Sequence, residues 1–239
     1  MKCLIIAGLP RGGTSAAAAI ADGLGVPMSL PGDVEQPGSD VAHRYPHGNF
    51  EDRTFRELVW SMTGVGGSSR CSGDECYRHF QRQWRDSLSQ GEDYELQCWL
   101  DARFDHAQAE GLDVFGVKLP TVSSIMKPLL HLLHRNEVSA VPFFISRSIK
   151  DAAESLCAKR GMKVEPACPM IWALAVQHYN SYHLAKAQDV CAKMNVPGYS
   201  LSWENVIGDP THAATSIARR CDIPFKADAV ERVDRSEEH

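Results

Sequence analysis

Glycines, an arginine and two hydroxyl residues follow a regular spacing close to the first residue of the chain. Gly8 is followed after four residues by Gly13, and then at once by Thr14 and Ser15. This is the spacing of a Walker phosphate loop, except that Thr14 stands where a lysine is usual. Backbone N–H groups at a helix start can bind an anion without that lysine, and Arg11 can supply the positive charge. We expect this loop to bind a phosphate donor other than ATP with magnesium.

Four short apolar runs alternate with longer segments of helical pattern, which favours parallel strands joined by crossover helices. The runs cover residues 3–7, 114–117, 141–145 and 199–201. We therefore expect an α/β fold in which a parallel β-sheet is flanked by helices. Ligands of such sheets collect at the carboxyl ends of the strands. Lys118 and Arg147 follow the second and third runs, so two cations should lie beside the phosphate loop, where a magnesium-dependent enzyme would carry an aspartate.

The remaining periodic segments predict helices near 51–62 and 75–89, and over 149–159, 170–193 and 210–220. Ser148 with Asp151 has the spacing of a capping box, and Asp209 before Pro210 is typical of a helix start. We interpret the chain, 1–239, as a single domain with a mainly helical or loop insertion at about 25–111. That insertion is expected to cover the site.

Composition excludes several classes of function. The chain has 239 residues, of which 44% are hydrophobic, enough for one core. The net charge is -5 and the sequence has no block of lysine or arginine, so it does not indicate binding to nucleic acid or to an acidic membrane surface. No apolar run approaches the roughly 20 residues of a membrane span. We also expect no signal sequence, because the first predicted strand begins directly at the start of the sequence. We expect a soluble cytoplasmic protein that acts on a small molecule, with its oligomeric state left open.

Eight cysteines are scattered along the chain and resemble buried, reduced thiols more than a disulfide framework. Two of them, Cys71 and Cys76, are close in sequence. Together with His79 they fall short of the four ligands of a structural zinc site. We expect no metal site.

Four parts of the chain, in order, resemble the sulfotransferases that use 3′-phosphoadenosine 5′-phosphosulfate (PAPS). Residues 8–15 are similar to the family's 5′-phosphosulfate loop, and Arg147 with Ser155 eight residues later is similar to its 3′-phosphate motif. Segments 48–52 and 115–120 resemble Gly-x-Phe-Glu-Asp/Asn and Trp-Gly-x-Lys-Asp-Pro of bacterial members. Segment 201–210 resembles the family's Tyr-Glu-Asp-Leu segment with its later proline.

The resemblance implies a P-loop nucleoside triphosphate hydrolase-like, three-layer fold and transfer of a sulfuryl group from PAPS to a hydroxyl or amine acceptor, without a metal. It implies that the nucleotide contacts Pro10, Arg11, Gly12, Gly13, Thr14, Ser15, Arg147, Ser155 and Trp203. Arg11, Lys118 and the loop amides would stabilise charge on the departing 3′,5′-diphosphoadenosine. Glu51 would be the general base. Other residues of the same region remain alternatives for that role: Asp33, Glu35, His43, His47 and Asp52.

The chain also departs from the family pattern. Trp203 stands in place of the usual tyrosine, and it could equally be a core residue. Leu119 replaces the common aspartate after the lysine. Two other functions stay open: a small-molecule kinase that uses ATP, which Thr14 and the basic strand ends disfavour, and a non-catalytic protein that binds 3′,5′-diphosphoadenosine. The acceptor of a sulfotransferase could be a small metabolite, a glycan, a lipid or a peptide tyrosine.

Overall fold

A computed structural model describes residues 1–31, 50–63, 83–160 and 169–233 of the chain. The strands of the described residues are β1 (Lys2–Gly8), β2 (Val114–Lys118), β3 (Ser139–Ser146) and β4 (Tyr199–Ser202). They form a parallel sheet in the order β2-β1-β3-β4. All the predicted strands are confirmed, because each observed strand contains its predicted run.

The sheet is apolar on both faces, which explains why its strands are continuous hydrophobic runs. In β1, Cys3, Ile5 and Ala7 belong to one hydrophobic core, and Leu4 and Ile6 belong to the core on the opposite face. A strand with both faces buried needs helices on both sides. The three-layer α/β architecture expected from the sequence is therefore confirmed.

Helices of the described residues cover both faces of the sheet. Their bounds are α1 (Thr14–Gly23), α2 (Arg53–Met62), α3 (Gln90–Ala109), α4 (Met126–Arg135), α5 (Ile149–Arg160), α6 (Pro169–Lys193), α7 (Trp203–Ile207) and α8 (Pro210–Cys221). Two 3₁₀ segments cover Val122–Ile125 and Ala227–Arg232. Buried residues of α2, α3, α4 and α6 pack on one face, and those of α1, α7 and α8 pack on the other.

Four of the predicted helices are confirmed, namely those that become α2, α5, α6 and α8. The expected cap of α8 is present, since the Asp209 carboxylate accepts a hydrogen bond from the His212 N–H at 3.0 Å. At the start of α5, Ser148 Oγ accepts from the Asp151 N–H at 3.3 Å. These helix starts could be predicted because each depends on residues three positions apart.

The predicted helix at 75–89 is wrong over the part that the structure describes. Residues 83–89 are not helical, and α3 begins at Gln90. Ser89 is the N-cap of α3 and forms a capping box with Glu92. The prediction therefore placed Ser89 at the end of a helix, whereas its side chain caps the start of α3. Residues 75–82 lie outside the described residues.

The cysteines of the described residues are not joined in disulfide bonds. Cys3, Cys191 and Cys221 are buried, Cys157 is half-buried and Cys98 is exposed. Burial raises the pKa of the Cys191 thiol to about 11, which keeps it protonated at neutral pH. Within the described residues, no helix has both the length and the apolar character needed to cross a membrane.

Candidate active site at the carboxyl end of the sheet

The loop between β1 and α1 has the backbone shape of an anion-binding nest. Arg11 and Gly13 take left-handed conformations, with φ of 64° and 91°. Gly13 is the N-cap of α1, and a β-carbon there would lie 2.8 Å from Trp203 Cδ1. Only glycine satisfies both the left-handed φ and this close approach. Left-handed residues of this kind direct neighbouring N–H groups into one concavity ahead of the helix, where an anion is favoured.

The order of the strands sets this loop between two cations. β1 lies between β2 and β3, with Ile6 paired to Lys118 on one side and Gly8 paired to Ile145 on the other. Lys118 is the last residue of β2, and Arg147 follows the end of β3. The basic strand ends expected from the sequence therefore flank the loop between β1 and α1.

Lys118 joins the start of α1 to the segment before α2. Its side chain is 2% exposed, and Nζ donates to Ser15 Oγ at 3.0 Å and to Glu51 Oε1 at 3.1 Å. Arg56 Nη1 lies 3.7 Å from the other Glu51 oxygen. The structure thus brings together Lys118, Ser15 and Glu51, which are far apart in sequence.

On the other side of the loop, Arg11 and Arg147 form a connected cluster. Arg11 Nε donates to Ser155 Oγ at 3.1 Å, and Arg147 Nη1 donates to the Arg11 carbonyl at 3.0 Å. The Arg147 guanidinium carbon lies 4.3 Å from the centre of the Trp203 ring, a cation–π contact. Trp203 is half-buried beside Gly13, so it contacts the loop rather than sitting in the deep core.

The other loop residues have supporting contacts. The Gly12 N–H donates to the Leu9 carbonyl at 2.9 Å, which closes the turn. Thr14 is buried, and its methyl group would lie 2.7 Å from a β-carbon at Gly8, so the two residues pack closely. The Pro10 carbonyl accepts a hydrogen bond from Gln177 at 2.8 Å.

The neighbouring carboxylates Glu51 and Asp52 have different partners, and Glu51 pairs with Lys118. Asp52 is buried and caps α2 by accepting from the Phe55 N–H at 2.8 Å. Its second oxygen lies 3.0 Å from Trp99 Nε1 and 3.1 Å from Arg103 Nη2. These contacts give Asp52 a structural role. The other alternative bases lie outside the described residues: Asp33, Glu35, His43 and His47.

Sequence reasoning missed three residues that support the site. Arg103 pairs with Asp52 and also donates to the Gly116 carbonyl of β2 at 3.0 Å, which ties the start of α2 to the sheet. Trp99 contacts the same carboxylate, and Gln177 contacts the loop. All three belong to helices, and no local motif marks them.

Within the part of the chain that the structure describes, no three or more His, Cys, Asp or Glu side chains form a group that could hold a metal ion. The cysteines and the histidine considered as zinc ligands, Cys71, Cys76 and His79, lie outside that part.

No protein-family model and no curated protein matches this chain. Two sulfotransferases are among the solved structures that resemble its fold. The crystal structure of sulfotransferase STF9 from Mycobacterium avium has a TM-score of 0.55 and 14% sequence identity, over 97% of this chain and 66% of that one. The sulfotransferase domain from the curacin biosynthetic pathway has a TM-score of 0.50 and 13% identity, over 98% of this chain and 77% of that one. This chain spans about two thirds of the length of STF9. At such low identity the likeness concerns the fold, and the chain has a sulfotransferase-like fold.

Proposed function

We propose that the protein is a sulfotransferase that transfers a sulfuryl group from PAPS to a hydroxyl or amine acceptor. The observation that carries the proposal is the contact between Arg11 and Ser155. These residues are 144 positions apart, and Arg11 Nε lies 3.1 Å from Ser155 Oγ. They belong to the two segments that resemble the 5′-phosphosulfate loop and the 3′-phosphate motif. A nucleotide with phosphate groups at both positions needs those segments side by side.

The residues of this region fit such a nucleotide. The left-handed backbone at Arg11 and Gly13 and the start of α1 form a nest for one phosphate group. Arg147 and Ser155 supply a cation and a hydroxyl group for the second. Trp203, which is half-buried and already in contact with Arg147, would offer an aromatic ring to a base.

Bound PAPS would supply an activated sulfuryl group on a phosphate leaving group. The protein's own part is electrostatic and positional. Arg11 and Lys118 would stabilise the negative charge that develops as transfer proceeds, since they lie at the loop and at the adjoining strand end. Glu51 would accept the proton of the acceptor group on a carboxylate oxygen. Lys118 donates hydrogen bonds to both Glu51 and Ser15, and it would hold the Glu51 carboxylate beside the loop.

Calorimetry tests the proposal without knowledge of the acceptor. The wild-type protein is titrated with 3′,5′-diphosphoadenosine and with ADP, each with and without magnesium. We expect tighter binding of 3′,5′-diphosphoadenosine, and no requirement for magnesium. A preference for ADP with magnesium would instead support a small-molecule kinase. Tight binding of 3′,5′-diphosphoadenosine without turnover of PAPS over a broad panel of hydroxyl and amine acceptors would support a non-catalytic binding protein.

A further inference from the structure

Side chains from outside the phosphate loop hold two consecutive loop carbonyl groups. Arg147 Nη1 donates to the Arg11 carbonyl at 3.0 Å, and Gln177 Nε2 donates to the Pro10 carbonyl at 2.8 Å. In a trans peptide the carbonyl and the following N–H point in opposite directions. The bond from Gln177 therefore sets the direction of the Arg11 N–H, and the bond from Arg147 sets that of the Gly12 N–H.

Gln177 also connects the loop to α5. Its side chain is fully buried, and Nε2 lies 3.3 Å from the Ala152 carbonyl of α5 as well as near Pro10. Since both neighbours are acceptors, the amide nitrogen must face them. Gln177 thus joins the loop to the helix that carries Ser155.

The amide oxygen of Gln177 indicates that packing alone does not explain a glutamine at this position. Among the described residues, this buried oxygen has no hydrogen-bond partner. A buried polar atom without a partner lowers stability. What the amide adds at this position is its pair of donors.

The loop conformation needs such external contacts. Arg11 has a φ of 64°, a left-handed backbone that is unfavourable for a residue with a side chain. Backbone of this kind persists where surrounding contacts over-determine it. The hydrogen bond from Gln177 acts on the peptide that immediately precedes this φ angle.

We propose that Gln177 is a positioning residue for nucleotide binding. Its amide holds the peptide between Pro10 and Arg11 against α5, so that the Arg11 N–H and side chain are in place before the nucleotide arrives. The residue acts through the loop, and the proposal rests on the proposed function for the identity of the nucleotide.

Gln177→Met tests this role, because methionine keeps the length of the side chain and removes both the donors and the buried oxygen. We expect the stability to urea to change little, because the variant removes an unpaired buried oxygen but also takes a donor from the Pro10 and Ala152 carbonyls. Calorimetric binding of 3′,5′-diphosphoadenosine should be about tenfold weaker. Asn180→Leu is the matched control. Asn180 is a buried amide one turn further along α6, and it donates to the Val176 carbonyl of its own helix at 2.8 Å. This variant should bind the nucleotide as the wild type does.

Hydrogen exchange of the nucleotide-free protein gives a second readout that needs no ligand. The Gly12 N–H, which donates to the Leu9 carbonyl, should exchange faster in Gln177→Met and at the wild-type rate in Asn180→Leu. Unchanged exchange in Gln177→Met, together with unchanged binding, would overturn the proposal. Equal losses of binding and stability in both variants would also overturn it. If the wild type does not bind 3′,5′-diphosphoadenosine, the proposed function fails, while the exchange rates still decide whether Gln177 holds the loop.

Discussion

Lys118 Nζ lies 3.1 Å from Glu51 Oε1 and 3.0 Å from Ser15 Oγ, so the proposed base, a strand-end cation and the first turn of α1 form one hydrogen-bonded group. The Lys118 side chain is 2% exposed. A buried ammonium group that loses its carboxylate partner is strongly unfavourable. Any change at Glu51 therefore also acts on Lys118, and nucleotide binding must be measured alongside turnover.

Glu51→Gln should reduce turnover by on the order of a hundredfold or more, since glutamine keeps the shape but cannot accept the proton. Binding of 3′,5′-diphosphoadenosine should stay close to the wild-type value. The measurements are the rate of release of 3′,5′-diphosphoadenosine from PAPS with an acceptor, and calorimetry. Glu57→Gln is the control, since Glu57 lies on α2, is 58% exposed and pairs with Arg53. Near-normal turnover in Glu51→Gln would move the base to His47 or Glu35.

Arg147→Ala should remove most of the preference for 3′,5′-diphosphoadenosine over 5′-AMP. A charge-assisted hydrogen bond to a phosphate group contributes about 1.5 to 3 kcal/mol. Both nucleotides should bind more weakly, because Arg147 also donates to the Arg11 carbonyl. The affinity for 3′,5′-diphosphoadenosine should fall more than the affinity for 5′-AMP. Calorimetry with both nucleotides measures the difference. Arg220→Ala controls for the loss of an arginine stacked on an aromatic ring, since Arg220 lies 4.3 Å from the Tyr199 ring centre. If Arg147→Ala still prefers 3′,5′-diphosphoadenosine over 5′-AMP as strongly as the wild type does, Arg147 does not bind the 3′-phosphate.

Asp52→Asn should lower the free energy of unfolding by about 3 to 5 kcal/mol, because it leaves Arg103 buried without its anionic partner. The two side chains are 0% and 1% exposed, and their charged atoms lie 3.1 Å apart. Urea-induced unfolding measures the change. Asp189→Asn is the comparison, since Asp189 pairs with Lys193 at 2.6 Å on an exposed surface and should change stability by less than about 1 kcal/mol. Similar effects of the two variants would show that the buried pair is not a structural anchor.

His183 should make the folded protein sensitive to mild acid. Burial, and secondly the charge of Lys186, lower its pKa from 6.5 to about 4. Between those two values the unfolded chain binds a proton that the folded protein does not, so the free energy of unfolding falls as the pH falls. The contribution of neutral His183 to the free energy of unfolding is fully present above pH 6.5 and is lost as the pH falls towards 4.

The corresponding variant is His183→Phe, which keeps a ring against Tyr179 and Trp84. It should lose less stability than the wild type between about pH 7 and about pH 5 in urea-induced unfolding. His131→Phe, at an exposed position of α4, controls for the loss of a histidine. The same pH dependence in the wild type and in His183→Phe would mean that His183 does not titrate differently in the folded protein.

The parts of the fold and site that could be predicted depend on neighbours in sequence. β1 is buried on both faces, so its apolar run is visible without a partner strand. Gly13, Arg11 and the eight-residue spacing of Arg147 and Ser155 are also local features. Their chemistry could be read from residue types and spacing alone.

The parts that could not be predicted depend on distant partners. The α3 helix places Arg103 on its buried face, and that charge is accepted only because Asp52 of another segment pairs with it. No local motif in the sequence marks this arginine as buried. The bond from Gln177 to Pro10 joins residues 167 positions apart, so nothing near Gln177 indicates it.

The position of β1 inside the sheet also determines when the site can form during synthesis. Leu4 pairs with Gly116 on one side and with Val141 on the other, although β1 is made first. Closing such long loops is slow because the entropy is lost before the contacts form. The first strand must therefore wait for the chain through β3 before it has both neighbours. The loop that follows β1 leaves the ribosome before β2 and β3, and it gains its final shape only after both have been made.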